Sequence, residues 1–420
     1  MDASWYKEFC KYGSFETYEF LDGDAHHRND QRTKFLNSNI EFPKLDYPFI
    51  VENDFKRRIE GLIQLKTNIL SQEEIPAIRS IYQEKINEKI ADCRMLLASK
   101  NNDYNAFEKY NLYVYDKVDK GIAYKNLVLY LSEIKDIKGH TAALQQALVE
   151  ELINKYNLVH QTLILPDHWL AYKQDYIGQL IHDFETNCKD IIDSTQLLQM
   201  FNKGLQFFNI EGWTVEHPES SKSSISVNQS KKLISVPNNK NYSKSRAIEL
   251  ILHEIGAHVK RRENGKYSIL KLSQIGLARY EAFEEGVAKI MEHGKHSGTP
   301  IIIANLKHLA IAMANGTYGI NFSFKAVFDF IKRHYEIDQS YKVIGDASLL
   351  AYVTTIRTFR GTDCNTPGVC YLKDKVYYEG LIKAIDHMHD VKDFDQLFAG
   401  KYDFTNLQQL KWLKELGVID

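Results

Sequence analysis

His253 and His258 stand five residues apart in an apolar stretch, Ile251-Leu252-His253-Glu254-Ile255-Gly256-Ala257-His258-Val259, and that interval restricts the backbone around them. On a regular α-helix, at about 100° per residue, two side chains so spaced diverge by about 140°. They face one point only if a turn is locally widened, as in a π-bulge. Gly256, between them, is the residue that tolerates such a distortion most readily.

Convergence is expected on chemical grounds. Imidazole nitrogen and carboxylate oxygen bind Zn²⁺ at about 2.0–2.2 Å, and a catalytic site keeps three protein ligands and one open position. His253, His258 and Glu285, the last 27 residues after His258 in Glu285-Gly286-Val287-Ala288, supply three donors for one Zn²⁺. Glu254 follows the first histidine directly, where a carboxylate can act as general base on water. The small residues after Glu285 fit a second helix packed closely beside the first. Other divalent ions accept the same donors, so the residues alone leave the metal open.

Three blocks in order resemble one family. HEIGAH (253–258) is similar to the HEIG-x-H motif of the QEGLA-motif proteins, a family that includes the microtubule-associated tyrosine carboxypeptidases. Glu284 to Ala288, EEGVA, matches the Q/E-E-G-L-A element, with Glu284 where Gln is frequent and Val287 where Leu is usual; Ala257 stands where Thr is usual. Arg357-Thr358-Phe359-Arg360-Gly361 and Lys373-Asp374-Lys375-Val376-Tyr377-Tyr378-Glu379-Gly380 resemble the R-x-F/Y-R-G and K-D-x-x-Y-x-x-G segments.

The resemblance covers roughly residues 198–384. It implies a gluzincin-like zinc peptidase with His253, His258 and Glu285 as ligands and Glu254 as base. The characterised animal members remove a C-terminal tyrosine from tubulin; substrate identity does not follow from the metal motif. By the same block matches, Tyr377, Tyr378, Arg357 and Arg360 are candidates to steady the oxyanion that acyl transfer creates. An exopeptidase also needs a cation for the substrate's α-carboxylate, for which Arg360 is the first candidate and Arg357 or Lys373 the second. Glu281 and Glu284 are candidates to orient a ligating imidazole. Lys260-Arg261-Arg262 is expected to complement a helix C-terminus.

The rest of the chain sets bounds. A formal charge of −2 gives no basic excess for nucleic acid. The N-terminus MDASWYKEFC lacks the basic start and apolar core of a secretory signal, and the apolar stretch from Ile301 to Ile320 is interrupted by Asn305, Lys307, His308 and Asn315. No membrane association is expected, therefore. Five cysteines fit a reducing, cytoplasmic setting better than a disulfide framework, with Cys364 and Cys370 as packing residues. Asp386-His387-Met388-His389 has no third partner at ligand spacing and reads as surface.

Apolar spacing predicts two helices between Asn53 and Leu97 broken near Pro76, and others at Thr141–Tyr156, Asp183–Phe208, Leu277–His293, Phe322–Tyr335, Ala347–Thr358 and Tyr377–His387. The Asp103–Ile134 stretch stays ambiguous. Short β-type runs at Trp213–Val215, Ile225–Val227 and Leu233–Val236 predict a small sheet before the histidine helix, whose edge can pair with an extended peptide. The expected fold is α+β and predominantly helical: a zincin-like core with a small antiparallel or mixed sheet beside a two-helix metal site. Residues 1–45 read as an irregular arm, 46–195 as a helical N-terminal subdomain and 196–420 as the catalytic core. The expected function is removal of a C-terminal residue from a peptide or protein. A metalloendopeptidase, an aminopeptidase, or a non-catalytic metal-containing module binding a protein partner through the N-terminal region stand as alternatives.

Overall fold

The computed structural model describes residues 2–154, 164–218, 225–292, 304–337 and 346–419, and the architecture among these is mainly helical. The predicted break at Pro76 is present, with helices at Glu52–Gln72 and Pro76–Lys100. Proline begins the second because its missing N–H and fixed φ suit a first helical position. The ambiguous stretch resolves into Tyr104–Tyr115 and Lys120–Ile134. Local polar chemistry makes that division: Asp103 and Asp119 each accept a hydrogen bond from a backbone N–H three residues on, a cap worth about 1 kcal/mol. Asp183–Phe208 is likewise two helices, Asp167–Asn187 and Ser194–Phe207, separated by strand β1 (Ile191–Ile192) and a reciprocal cap between Asp193 and Gln196. The ends expected at Tyr156 and His293 lie outside the described residues, as do residues 301–303.

The small sheet is mixed. Strands β2 (Thr214–Glu216), β3 (Ser226–Asn228) and β4 (Leu233–Ser235) lie in the order β2–β4–β3. β4 runs parallel to β2 and antiparallel to β3, so it is central, and Ile234 on it is fully buried. β3 is left at an edge. β1 pairs separately with β5 (Tyr242–Ser243), whose Ser243 then caps the Lys244–Ile251 helix through the N–H of Arg246.

Residues 1–45 differ from the irregular arm expected of them. They form helices Asp2–Gly13, Thr17–Phe20 and Ala25–Leu36, and bury Trp5, Phe9, Leu21 and Phe35. The Trp5 indole donates to Glu73 at 2.8 Å, and the Asp2 carboxylate accepts the Lys271 N–H at 2.6 Å. Aromatic residues spaced through a polar stretch found partners far along the chain. None of His26 to Asp30 is buried.

Two large hydrophobic cores hold the described residues together. One gathers Phe9, Tyr82, Trp169, Phe201, Ile255, Ile290 and Ile385; the other gathers Phe55, Phe107, Tyr130, Ile311, Phe330 and Phe359. Each draws on residues from both sides of position 195. The Lys375–Met388 helix joins them, giving Val376 to one core and Ala384, Ile385 and Met388 to the other. All five cysteines are free, Cys364 and Cys370 are buried, and no described helix is long and apolar enough to cross a membrane.

The joining helix lies backbone to backbone against Glu281–Glu292. A Cβ on Gly286 would collide with the Gly380 carbonyl, and one on Gly380 with the Ala282 carbonyl. The small residue after Glu285 therefore serves a different neighbour from the one expected: it admits the Lys375–Met388 helix, not the histidine helix. Gly380→Ala is expected to cost about 1–3 kcal/mol through overpacking, seen as a lowered Tm. An unchanged Tm would mean the two backbones do not approach this closely.

Candidate metal centre

Residues Leu252–Val259 form a π-helical segment between Lys244–Ile251 and Lys260–Tyr267, the widened turn that the histidine interval demands. Hydrogen bonds from i to i+5 place side chains five apart on one face. Gly256 has a second duty here. A Cβ on it would stand 3.1 Å from Cε of Met291 and 3.4 Å from Cζ of Phe208, so its lack of a side chain lets the Glu281–Glu292 helix come close.

The two imidazoles meet edge to face, 4.9 Å between centroids, with Nε2 atoms 3.3 Å apart. Oε2 of Glu285 lies 3.7 Å from each Nε2. That oxygen is buried and has no hydrogen-bond partner. Glu254 also brings a carboxylate oxygen within 4.8 Å of ligand atoms on both rings. Of the stretch expected at the surface, Asp386 and His389 are exposed but His387 is half-buried and Met388 fully buried; none of them joins a metal-binding cluster among the described residues.

Each ring is held from behind by a carboxylate of the Glu281–Glu292 helix. Nδ1 of His258 lies 2.8 Å from Glu284, and Nδ1 of His253 lies 3.1 Å from Glu292. A carboxylate can only accept, so Nδ1 carries the proton and, in the neutral rings, each Nε2 presents a lone pair. Two lone pairs and an unbonded carboxylate oxygen thus converge on one point. Bonds of 2.0–2.1 Å at a tetrahedral angle separate two donors by about 3.3–3.4 Å, which is the spacing of the two Nε2 atoms. The donor set fits a small divalent cation.

The protonation of these groups leads to the same demand for positive charge. Burial opposes charging His258, but the Glu285 carboxylate and the Glu284 hydrogen bond outweigh it, and the ring is pushed up to about 9. Burial also works against the Glu284 carboxylate, yet Lys401 and then His258 bring it down to about 2. Lys401 donates to Glu284 at 2.6 Å. Glu292 is held low against its own burial by His253 and Lys289, and Arg246 pairs with it as well.

Around this centre is a cavity of about 470 Å³. One wall is the edge strand, through Ile225, Ser226 and Val227; another is Tyr377 with Arg357, Arg360 and Lys373. Burial and the charge of Glu285 both raise the Tyr377 phenol, Glu285 contributing more, so it remains protonated. Tyr378 is not brought to the cavity: it packs against the buried ring of His308, centroids 5.1 Å apart.

The three candidate cations differ in what already occupies them. Arg357 is engaged twice by Asp374, at 2.6 and 2.8 Å. Lys373 is bonded to Glu281 at 2.7 Å, which ties that glutamate to a lysine and away from the imidazoles. Arg360 meets Asp22 through one nitrogen at 3.3 Å. Arg261 also departs from expectation: fully buried, it donates to the carbonyls of Gly400 and Tyr402 and binds the C-terminal segment in place of capping its own helix.

Sequence reasoning passed over Glu292, Lys401, Glu16 and Tyr18. Glu292 had a signal, since it lies seven residues after Glu285 and so on the same helical face. Lys401 and the cavity-lining Glu16 and Tyr18 had none, because only folding brings these distant segments to the site.

Comparison with known proteins agrees with the motifs. The sequence model described as microtubule-associated tyrosine carboxypeptidase matches residues 180–420. Over 177 residues the chain is 27% identical to microtubule-associated tyrosine carboxypeptidase 1 of Mus musculus, a stretch that takes in 41% of this chain and 34% of the mouse protein. The chain thus matches about a third of the length of that relative. The π-helical segment, the Glu281–Glu292 helix and the Arg357–Gly380 block all fall inside the family match, which takes in more than half of the sequence. The chain belongs to the microtubule-associated tyrosine carboxypeptidase family.

Proposed function

We propose that the protein is a zinc-dependent metallocarboxypeptidase that removes a C-terminal residue, tyrosine-like by analogy with the family's name, from a peptide or protein. The observation that carries this reading is the convergence of the His253 and His258 Nε2 atoms with the unbonded Glu285 oxygen at the floor of a cavity. These three residues would hold one Zn²⁺, in a zincin-like core. When bound, the ion supplies Lewis acidity, making water acidic and a carbonyl electrophilic near neutral pH.

The chain's own residues do the rest. An extended substrate pairs its backbone with edge strand β3, whose Ser226 and Val227 line the cavity. Glu254 takes a proton from the attacking water and passes it to the leaving amine. Tyr377 donates its O–H to the oxyanion that forms on the scissile carbonyl. Arg360 holds the terminal carboxylate, because its fork is the least committed among the three cations. Glu284 and Glu292 hold the rings through Nδ1, so that Nε2 and not Nδ1 would bind the ion.

Glu254→Gln is expected to keep stoichiometric zinc and lower turnover by about 10²–10⁴-fold; a variant that trims peptides at the normal rate would exclude this base. Glu284→Gln is expected to weaken zinc affinity by about 10–100-fold, measured by competition with a chelator. Stripping zinc should abolish trimming and its return should restore it. With wild-type protein and a peptide ending in tyrosine, mass spectrometry should show loss of one C-terminal residue, blocked by C-terminal amidation and strongly reduced in Arg360→Ala. Internal cleavage, or loss of N-terminal residues, would replace the carboxypeptidase reading with that of an endopeptidase or aminopeptidase.

A further inference from the structure

We propose that Asp22 is a placeholder for the substrate's terminal carboxylate: it occupies Arg360 in the free protein and releases it when a peptide binds. The proposal rests on the reading of Arg360 as the carboxylate holder and adds a competitor from the chain itself. Asp22 lies outside the family match, on the N-terminal segment that also lends Glu16 and Tyr18 to the cavity wall.

The Arg360 side chain is only 20% exposed, whereas Asp22 is 47% exposed. A guanidinium so enclosed needs a counter-charge, and Asp22 provides one. The hold is loose. One Asp22 oxygen, Oδ1, meets one guanidinium nitrogen at 3.3 Å, whereas Asp374 grips Arg357 with both oxygens. A bidentate substrate carboxylate therefore makes the better partner for the same fork.

Release does not strand an anion. The same Oδ1 lies 2.8 Å from Nη1 of Arg28, so Asp22 keeps a cation after giving up Arg360. Leu21, the preceding residue, is buried in the second core and anchors the backbone beside Asp22, so the exchange is one between side chains. Arg28 and Arg360 thus compete for one carboxylate, and the substrate competes with that carboxylate for Arg360.

This arrangement predicts effects of opposite sign at two residues in contact. In zinc-loaded protein carrying Glu254→Gln, so that peptide is bound and not cut, the probe is a fluorescent peptide ending in tyrosine, as free acid and as C-terminal amide. Adding Asp22→Asn should tighten binding of the free acid by up to about fivefold, the scale of a partly exposed ion pair, and leave the amide unchanged. Adding Arg28→Met should weaken the free acid, because Asp22 then has Arg360 alone. If Asp22→Asn leaves the free acid unchanged or weakens it, or if both variants shift it in the same direction, the placeholder role is overturned. Equal binding of acid and amide in the Glu254→Gln parent would sink the carboxylate-holding role of Arg360 itself, a result distinct from a preference for acid that Asp22→Asn fails to alter.

Discussion

The widened turn at Leu252–Val259 is the constraint on which the site depends. Rewound as a regular α-helix, the same six residues would send the two imidazoles to different faces, and neither Glu285 nor any other carboxylate could meet both. The packing around the turn is built for its shape: Gly256 leaves room for Met291 and Phe208, and Ile255, Ala257 and Val259 are fully buried on its other sides. A π-segment has poorer intrinsic stability than an α-turn, so its persistence implies tertiary support. Here that support comes from the Glu281–Glu292 helix, which also supplies the carboxylates behind both rings.

That helix is itself held from the opposite side. Gly286 and Gly380 bring its backbone against the Lys375–Met388 helix, and the latter carries Tyr377 to the cavity and spans both hydrophobic cores. The family's second and third sequence blocks therefore meet physically at their glycines. The carboxylate of Glu285 and the phenol of Tyr377 are placed on two rods with almost no freedom to slide. Charge is distributed in the same ordered way: carboxylates surround the imidazoles, and cations such as Lys401, Arg246 and Lys289 stand outside the carboxylates. A positive charge at the centre completes that alternation.

Much of this was legible before folding was considered, for stated reasons. The five-residue histidine interval implied a π-turn because helical geometry is nearly invariant. The break at Pro76 was readable because proline acts within one turn of chain. The edge position of β3 was not, since it depends on β4 returning between its neighbours. Tyr377 and Tyr378 are equivalent as letters, and only the seating of their helix sends one to the cavity and the other against His308. The polar first 45 residues looked like an arm because their few aromatic anchors sit far apart in the sequence. Those anchors are buried by helices that begin tens to hundreds of residues later.

By itself, the amino-acid sequence determined which donor atoms exist, how far apart they lie along the chain and therefore which backbone distortion they require. It also determined the helix boundaries that proline and side-chain caps impose. Tertiary structure alone decided which carboxylate stands behind each imidazole, which arginine is left with a loose partner, and that an N-terminal segment walls a cavity built by residues 200 or more positions away. The physical reason is range. Capping and helical periodicity act over three to five residues, whereas ion pairing and burial are chosen among all the groups that packing brings together.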